Sequence, residues 1–292
     1  MTSSAGLLLC PVCRTPLPVR PPCSCGFVLR ESEGILNLMT RESIAGAQPF
    51  LEAYERVRAD EQWGADDLDL PFHPKRHHDI WDIRQRTFRA FQAIVARFDR
   101  GYAVDVGAGS CWMTRFLDQW GFDAIAVDVD TSSVDGLAAG QRFIDEGSRF
   151  LRIRSSMDCL PFASGRIRLL TINAAFHYAF DFRATLGEFK RVLPPGGMIA
   201  IMDTPVYENP ADGERMLAER ARNFHEKYGF PEALSRQSRF LTFESISELA
   251  AQHDLRVRIH RPWPGWRRKF KEIRARLGVR RIAQFPLIVL EK

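Results

Sequence analysis

Apolar residues follow two different spacings along the middle of the chain, and the alternation between them predicts the fold. From Ile80 to Phe98 they recur every three or four positions (Ile80, Ile83, Phe88, Phe91, Ile94, Val95, Phe98), the period of a helix with one buried face. Gly101 ends that helix. Short apolar runs then alternate with helical stretches. Tyr102 to Val106, Ala124 to Val129, Arg149 to Arg154, Leu169 to Asn173 and Met198 to Met202 predict five strands. Trp112 to Trp120, Ser133 to Glu146 and Thr185 to Val192 predict helices between them. Residues 210–228 predict a further helix, and Ser245 to His253 another, with Ser245 and Glu248 in capping-box spacing. Leu255 to His260 and Phe285 to Leu290 predict two last strands. The expected fold is therefore α/β: a doubly wound, seven-stranded, mostly parallel sheet with helices on both faces.

The flanks read differently. Residues 1–40 lack a long period and carry Pro11, Pro16, Pro18, Pro21 and Pro22, which break helices and favour turns. So short a segment cannot build its own core and needs a staple or a neighbour. Residues 50–58 predict a short helix, and 59–78 are polar and irregular. The expected organisation is a leader at 1–40, a linker with helices at 41–99 that forms part of a lid, and a main domain at 100–292 with insertions at 204–240 and 262–281.

Composition excludes several classes. The 292 residues are 45% apolar and 26% charged, ordinary for a globular protein. No apolar run approaches the ~18 residues of a membrane span, and Gly6 to Leu9 is too short and too uncharged at its start for a secretory signal. A cytoplasmic protein is expected. The net charge of +5 is concentrated: from Arg256 onward there are twelve Lys or Arg against two Glu.

The most informative stretch is Val104-Asp105-Val106-Gly107-Ala108-Gly109-Ser110-Cys111-Trp112, a strand, a glycine turn and a helix start. Glycines there let the backbone approach a ligand closely. In a doubly wound sheet such a turn lies at the carboxyl edge, where ligands bind. Trp112 stands where a dinucleotide-binding turn has its third glycine, which disfavours a dehydrogenase. No phosphate-loop motif is present. Asp128 ends the next strand, and an acid there can accept both hydroxyls of a ribose.

Five blocks in order complete the pattern: VDVGAGS at 104–110, AVDVD at 126–130, MDCLPF at 157–162, LLTINAAFHY at 169–178 and RVLPPGGMIAIMD at 191–203. With them the chain resembles the class I S-adenosylmethionine-dependent methyltransferases, and in its RVLPPGG turn the branch acting mostly on small molecules and RNA. The resemblance implies a Rossmann-like methyltransferase fold with S-adenosyl-L-methionine as cofactor. It implies that Asp105, Gly107 and Gly109 line the methionine part, that Asp128 holds the ribose, that Met157 and Asp158 flank the adenine, and that Asn173 lies under the sulfonium. The chain departs from the family at Cys111, where another glycine is usual, and at Ile167-Arg168, where Phe-Asp is usual.

Methyl transfer from a sulfonium needs chiefly proximity and alignment. A general base serves only a protonated, weakly acidic acceptor. His177, Asp203 and Tyr207 are the candidate bases at the strand ends, with capping or packing as the alternative role. The lid is expected from residues 50–80 and 204–240. Tyr54 and Arg58 share a helical face there, and Arg58 can pair with the cofactor's carboxylate or stay solvated.

Four of the six cysteines, Cys10, Cys13, Cys23 and Cys25, fall in the leader as C-x2-C and C-x-C. Without an export signal these read as metal ligands before disulfides, and tetrahedral zinc takes four such sulfurs. The stretch resembles the zinc-ribbon leaders of some bacterial methyltransferases and of activators of tRNA and rRNA methylation, and GILNL at 34–38 agrees. His73, His77 and His78 are further candidate ligands, or a solvated loop. In the basic segment Trp266, Phe270, Ile273 and Leu277 share one helical face, suited to nucleic acid, a membrane surface or the sheet edge.

The reading preferred is methyl transfer to a small-molecule or lipid-like acceptor. An RNA methyltransferase docking through ribbon and tail, and a non-catalytic cofactor-binding adaptor, stay open. The oligomeric state is not legible.

Overall fold

The computed structural model describes residues 6–18, 22–63, 69–229, 240–263 and 282–292. Two short strands, β1 (Arg30–Ser32) and β2 (Ile35–Asn37), precede helices α1 (Arg41–Asp60) and α2 (His78–Val95). The alternating region follows as β3 (Tyr102–Val106), α3 (Trp112–Gln119), β4 (Asp123–Asp128), α4 (Gln141–Asp145), β5 (Leu151–Arg154), β6 (Leu169–Asn173), α5 (Phe182–Val192) and β7 (Met198–Met202). Then come β8 (Val206–Tyr207), α6 (Pro210–Tyr228), β9 (Leu241–Thr242), α7 (Phe243–Gln252), β10 (Arg256–His260) and β11 (Leu287–Glu291).

The main sheet has nine strands in the order β1-β2-β5-β4-β3-β6-β7-β11-β10. The seven expected strands are all present, and the leader adds two. Ile35, Leu36 and Asn37 pair in parallel with Arg152, Ile153 and Arg154, so GILNL extends the sheet. Pairing is parallel from β2 across to β7, and β1, β10 and β11 run antiparallel to their neighbours. The order reverses at β3, placing the switch point at the glycine turn.

Side-chain alternation divides the core between the two faces. Val104, Val106, Ile125 and Val127 pack with Leu186, Phe189 and Ile246, and with Leu7 and Leu38 of the leader. Ala103, Ala124 and Ala126 point the other way, toward Phe88, Phe91 and Leu117. Small residues on that face let α2 and α3 approach closely.

The helices differ from the sequence reading chiefly at three places. α1 begins at Arg41 rather than 50, because Thr40 caps it by accepting the Ser43 N–H, and the helix runs through Pro49. The expected helix 133–146 is a 3₁₀ turn, Leu137–Gly140, followed by the single-turn α4. Asp130 is the cause: its carboxylate takes the Ser132 N–H and hydroxyl, holding the chain in a turn. In α7 the capping box is Thr242 with Ser245, not Ser245 with Glu248. The basic face of residues 266–277 lies outside the described residues. Among the described residues no helix is long and apolar enough to cross a membrane.

Candidate active site

The glycine turn after β3 is pinned to the end of β4. The Gly107 and Ala108 N–H groups donate to the Val127 carbonyl at 2.8 and 3.1 Å. The Gly109 N–H donates to Asp128 Oδ2 at 2.8 Å. Gly107 has φ +68°, and a Cβ there would stand 2.4 Å from the Ala175 Cβ. Only glycine fits this crossing.

A cleft of about 860 Å³ opens over this turn at the carboxyl edge of the sheet. Of the expected cofactor residues, Gly107, Gly109, Asp128, Met157 and Asn173 line it. Asp128 also accepts the Asp130 N–H at 2.9 Å, and burial pushes its carboxyl up to about 7. Asp105 lies one layer below. It is 1% exposed, takes the hydroxyls of Thr114 and Thr171 at 2.8 and 2.9 Å, and is pushed up to about 6 by burial. Asp105 thus braces β3 against α3 and β6 from beneath and is not on the cleft wall. Asp158 is also off the wall: its carboxylate turns to the Thr185 hydroxyl in the first turn of α5.

The candidate bases separate. Asp203, at φ +55°, accepts Thr87 Oγ1 at 2.8 Å and Asn173 Nδ2 at 2.6 Å. Burial raises its pKa, opposed by the Arg84 charge and by both hydrogen bonds. His177 lies on the cleft in a 3₁₀ turn, its ring 4.2 Å from that of Tyr178. Burial, then the charges of Arg220 and Arg84, push its imidazole down to about 3. Its Nδ1 is buried with no hydrogen-bond partner among the described residues. Tyr207 is buried in β8 against Phe240 and does not line the cleft.

Helices α1 and α2 supply the outer wall. Arg58 is paired with Asp135 and lies 4.0 Å over the Trp63 ring, so it is already engaged. Arg84 was not legible in the sequence. Its guanidinium stands 4.5 Å from the Trp81 ring and 5.4 Å from Trp63, lines the cleft, and leaves a buried Nε without a hydrogen-bond partner. Burial lowers its pKa, and the Asp203 charge partly restores it. No motif marks Arg84; it stands out only because α2 turns it inward.

The four leader cysteines converge. Their sulfurs lie within 4.8 Å of one another, Cys10 with Cys25 and Cys13 with Cys23 both at 3.5 Å. Metal–sulfur bonds of about 2.3 Å put tetrahedral sulfurs roughly 3.8 Å apart, and this set can hold zinc. All four are free thiols. The cysteine cluster includes no histidine; His77 instead stacks on Trp63 at 3.9 Å in the cleft wall.

Residues 104–201 match a family model described as "Methyltransferase domain". The chain is 32% identical over 118 residues to malonyl-[acyl-carrier protein] O-methyltransferase 1 of Coxiella burnetii, covering 38% of this chain and 39% of that protein. The match thus spans about two fifths of the relative. Among solved structures, the YcgJ protein of Bacillus subtilis is 14% identical with a TM-score of 0.52, over 74% of this chain and 97% of that one. Phosphoethanolamine N-methyltransferase 2 of Haemonchus contortus is also 14% identical with a TM-score of 0.52, over 71% of this chain and 52% of its own. Both share the fold. Motif blocks, switch-point cleft and family match agree, and residues 104–201 are a methyltransferase domain of the S-adenosylmethionine-dependent class.

Proposed function

We propose that the protein transfers a methyl group from S-adenosylmethionine to a small-molecule or lipid-like acceptor bound in this cleft. One observation carries the reading: residues from four successive strand ends, Gly107 and Gly109, Asp128, Met157 and Asn173, meet on one cleft wall at the switch point.

S-adenosylmethionine supplies an electrophilic methyl group on a sulfonium. The chain's work is to bind, align and exclude water. Asp128 accepts the ribose hydroxyls on the lone pairs that Gly109 and Asp130 leave free. Arg84 offers its guanidinium to the methionine carboxylate, a task closed to Arg58 by its pair with Asp135. Asp203 positions Asn173 through the 2.6 Å hydrogen bond, with Thr87 fixing the other oxygen. His177 is neutral at physiological pH and lies on the cleft wall, where its ring can take a hydrogen bond from the attacking O–H or N–H of the acceptor. So weak a base suits an acceptor that sheds its proton late.

The test is incubation with methyl-tritiated S-adenosylmethionine and lysate of the source, followed by separation of RNA, protein and organic-soluble fractions. Label in the small-molecule or organic fraction is expected. Ribonuclease-sensitive label in RNA overturns the choice of acceptor. Cofactor binding without label in any fraction turns the reading toward an adaptor.

A further inference from the structure

The cysteine ribbon is joined to the cofactor cleft by a short chain of contacts. Leader residues 7–9 run beside residues 161–163, with the Leu9 N–H on the Pro161 carbonyl and the Ala163 N–H on the Leu7 carbonyl, both at 2.9 Å. The Cys10–Cys13 knuckle follows immediately. Arg14, next to Cys13, has φ +59°, which turns its side chain out of the knuckle toward the domain. Arg14 Nη1 donates to Cys159 Sγ at 3.2 Å, and Nη2 to Glu188 Oε1 at 3.1 Å. Glu188 also takes Arg191, whose guanidinium holds the Leu160 and Phe162 carbonyls at 3.2 and 2.8 Å.

Both partners of the Arg14 side chain bear on one loop. Residues 155–162 begin at the ribose acid, with the Ser155 N–H on the Asp128 carbonyl at 3.0 Å. They carry Met157 on the cleft wall. They end against the leader. Cys159 and Met157 thus stand two positions apart on the same loop.

We infer that Arg14 is a positioning residue that couples metal loading of the cysteine cluster to cofactor binding, by clamping the 155–162 loop through Cys159 and Glu188. The knuckle's own backbone is closed by the Cys10 N–H on the Thr15 carbonyl at 2.8 Å and the Arg14 N–H on the Cys10 carbonyl at 3.0 Å, whereas its sulfurs meet those of the second knuckle only through thiol contacts of 3.5 Å, which are weak hydrogen bonds. Four metal–sulfur bonds would lock the two knuckles to each other, and with them the placement of Arg14 and its clamp. The inference rests on the methyltransferase reading for the identity of the cofactor, and on the hydrogen bonds above for the coupling.

Coupling between two binding sites is reciprocal: whatever factor zinc adds to cofactor affinity, the cofactor adds to zinc affinity. The experiment measures both in the full-length chain. Zinc affinity is read by competition with a chromogenic chelator, with and without saturating S-adenosylhomocysteine. S-adenosylhomocysteine affinity is read by calorimetry on the zinc-loaded protein. In the wild type, S-adenosylhomocysteine is expected to tighten zinc binding about tenfold, within the usual range of such couplings. Arg14→Ala is expected to keep one zinc per chain, bind S-adenosylhomocysteine about tenfold more weakly, and lose the effect of the ligand on zinc. Unchanged affinity in Arg14→Ala, an equal coupling in both proteins, or a wild type that takes up no zinc overturns the inference. Should Arg14→Ala fail to load zinc, Cys159→Ala removes only the loop's acceptor, and unchanged S-adenosylhomocysteine affinity there overturns it too. A wild type that binds zinc but neither S-adenosylmethionine nor its product overturns the methyltransferase reading instead.

Discussion

Cys111 stands where the family resemblance implies a glycine, and the structure shows what replaces the missing space. Cys111 is fully buried at φ +64°, and its neighbour across the turn is Gly140. A Cβ at Gly140 would lie 2.7 Å from Cys111 Sγ and 2.9 Å from its Cβ, with the Phe150 ring 3.6 Å away. Gly140 itself has φ −69° and ψ −10°, which any residue adopts, so the cost of Gly140→Ala is steric. Overpacking of this kind costs about 1–3 kcal/mol. Alanine returns roughly 0.5–1 kcal/mol through the unfolded chain, which leaves a net loss of about 1–2 kcal/mol. Cys111→Gly relieves about 1 kcal/mol of left-handed strain. It also forfeits roughly 1.5 kcal/mol of buried side chain and about 0.5–1 kcal/mol of glycine entropy, and so loses about 1 kcal/mol. In the double variant the new methyl group occupies the space of the lost thiol. The two changes should then couple favourably by about 2 kcal/mol, or some 4–8 °C in melting temperature. Thermal melts of the four proteins with S-adenosylhomocysteine affinities on each measure the cycle. Shifts that add to within about 0.5 kcal/mol refute the claim that Cys111 and Gly140 share one space.

Three further outcomes are expected. Asp128 is raised to about 7 and the ribose hydroxyls favour its ionised form, so cofactor affinity should be full above about pH 8 and fall as pH drops through 7; calorimetry across pH 6–9 showing a flat profile contradicts this. Asp203→Ala takes the 2.6 Å partner from the Asn173 amide and removes the charge that offsets Arg84, while the Thr87 hydroxyl keeps the Arg84 carbonyl at 3.0 Å; it should cost about 2–4 kcal/mol by denaturant titration, whereas a loss under 0.5 kcal/mol would show that these contacts are not held. Glu33 and Gly34 form the two-residue turn between β1 and β2 at φ +53° and +70°, where Asn-Gly is favoured; Glu33→Asn should stabilise by about 0.5 kcal/mol, and a drop in melting temperature would refute the turn assignment.

Where the chain uses strong local signals, the sequence is readable. β3, β6, β7 and α6 begin and end where the apolar runs and the turns between them put them; β3 and α6 are closed by Gly107 and Gly229, and β7 by Asp203. The β1–β2 hairpin was not readable as strands. Three-residue segments carry no period, and β2 is defined by pairing with β5 far along the chain. In the cleft, Gly107 follows β3 directly, and Asp128 and Asn173 are the last residues of β4 and β6, where the spacing puts them. It did not decide side-chain direction: Asp105 and Asp158 leave the wall for threonine hydroxyls, since Thr114, Thr171 and Thr185 arrive from other elements. Arg84 belongs to no motif, and only the packing of α2 over the cleft turns it inward.

The leader hairpin also changes what the molecule shows to its neighbours. A parallel sheet ending at β5 would present unpaired N–H and C=O groups beside Leu151 and Ile153, an open template for another chain. With β2 docked there, the outermost strand is Arg30-Glu31-Ser32, three residues long and exposed. At the far edge β10 reads Arg-Val-Arg-Ile-His, with Arg256 and Arg258 outward. Both margins are thus finished with short or charged strands, the pattern by which natural sheets resist stacking edge to edge. The hairpin therefore replaces a longer open edge with a short, charged one, a consequence for edge-to-edge pairing that is separate from anything the cysteines bind.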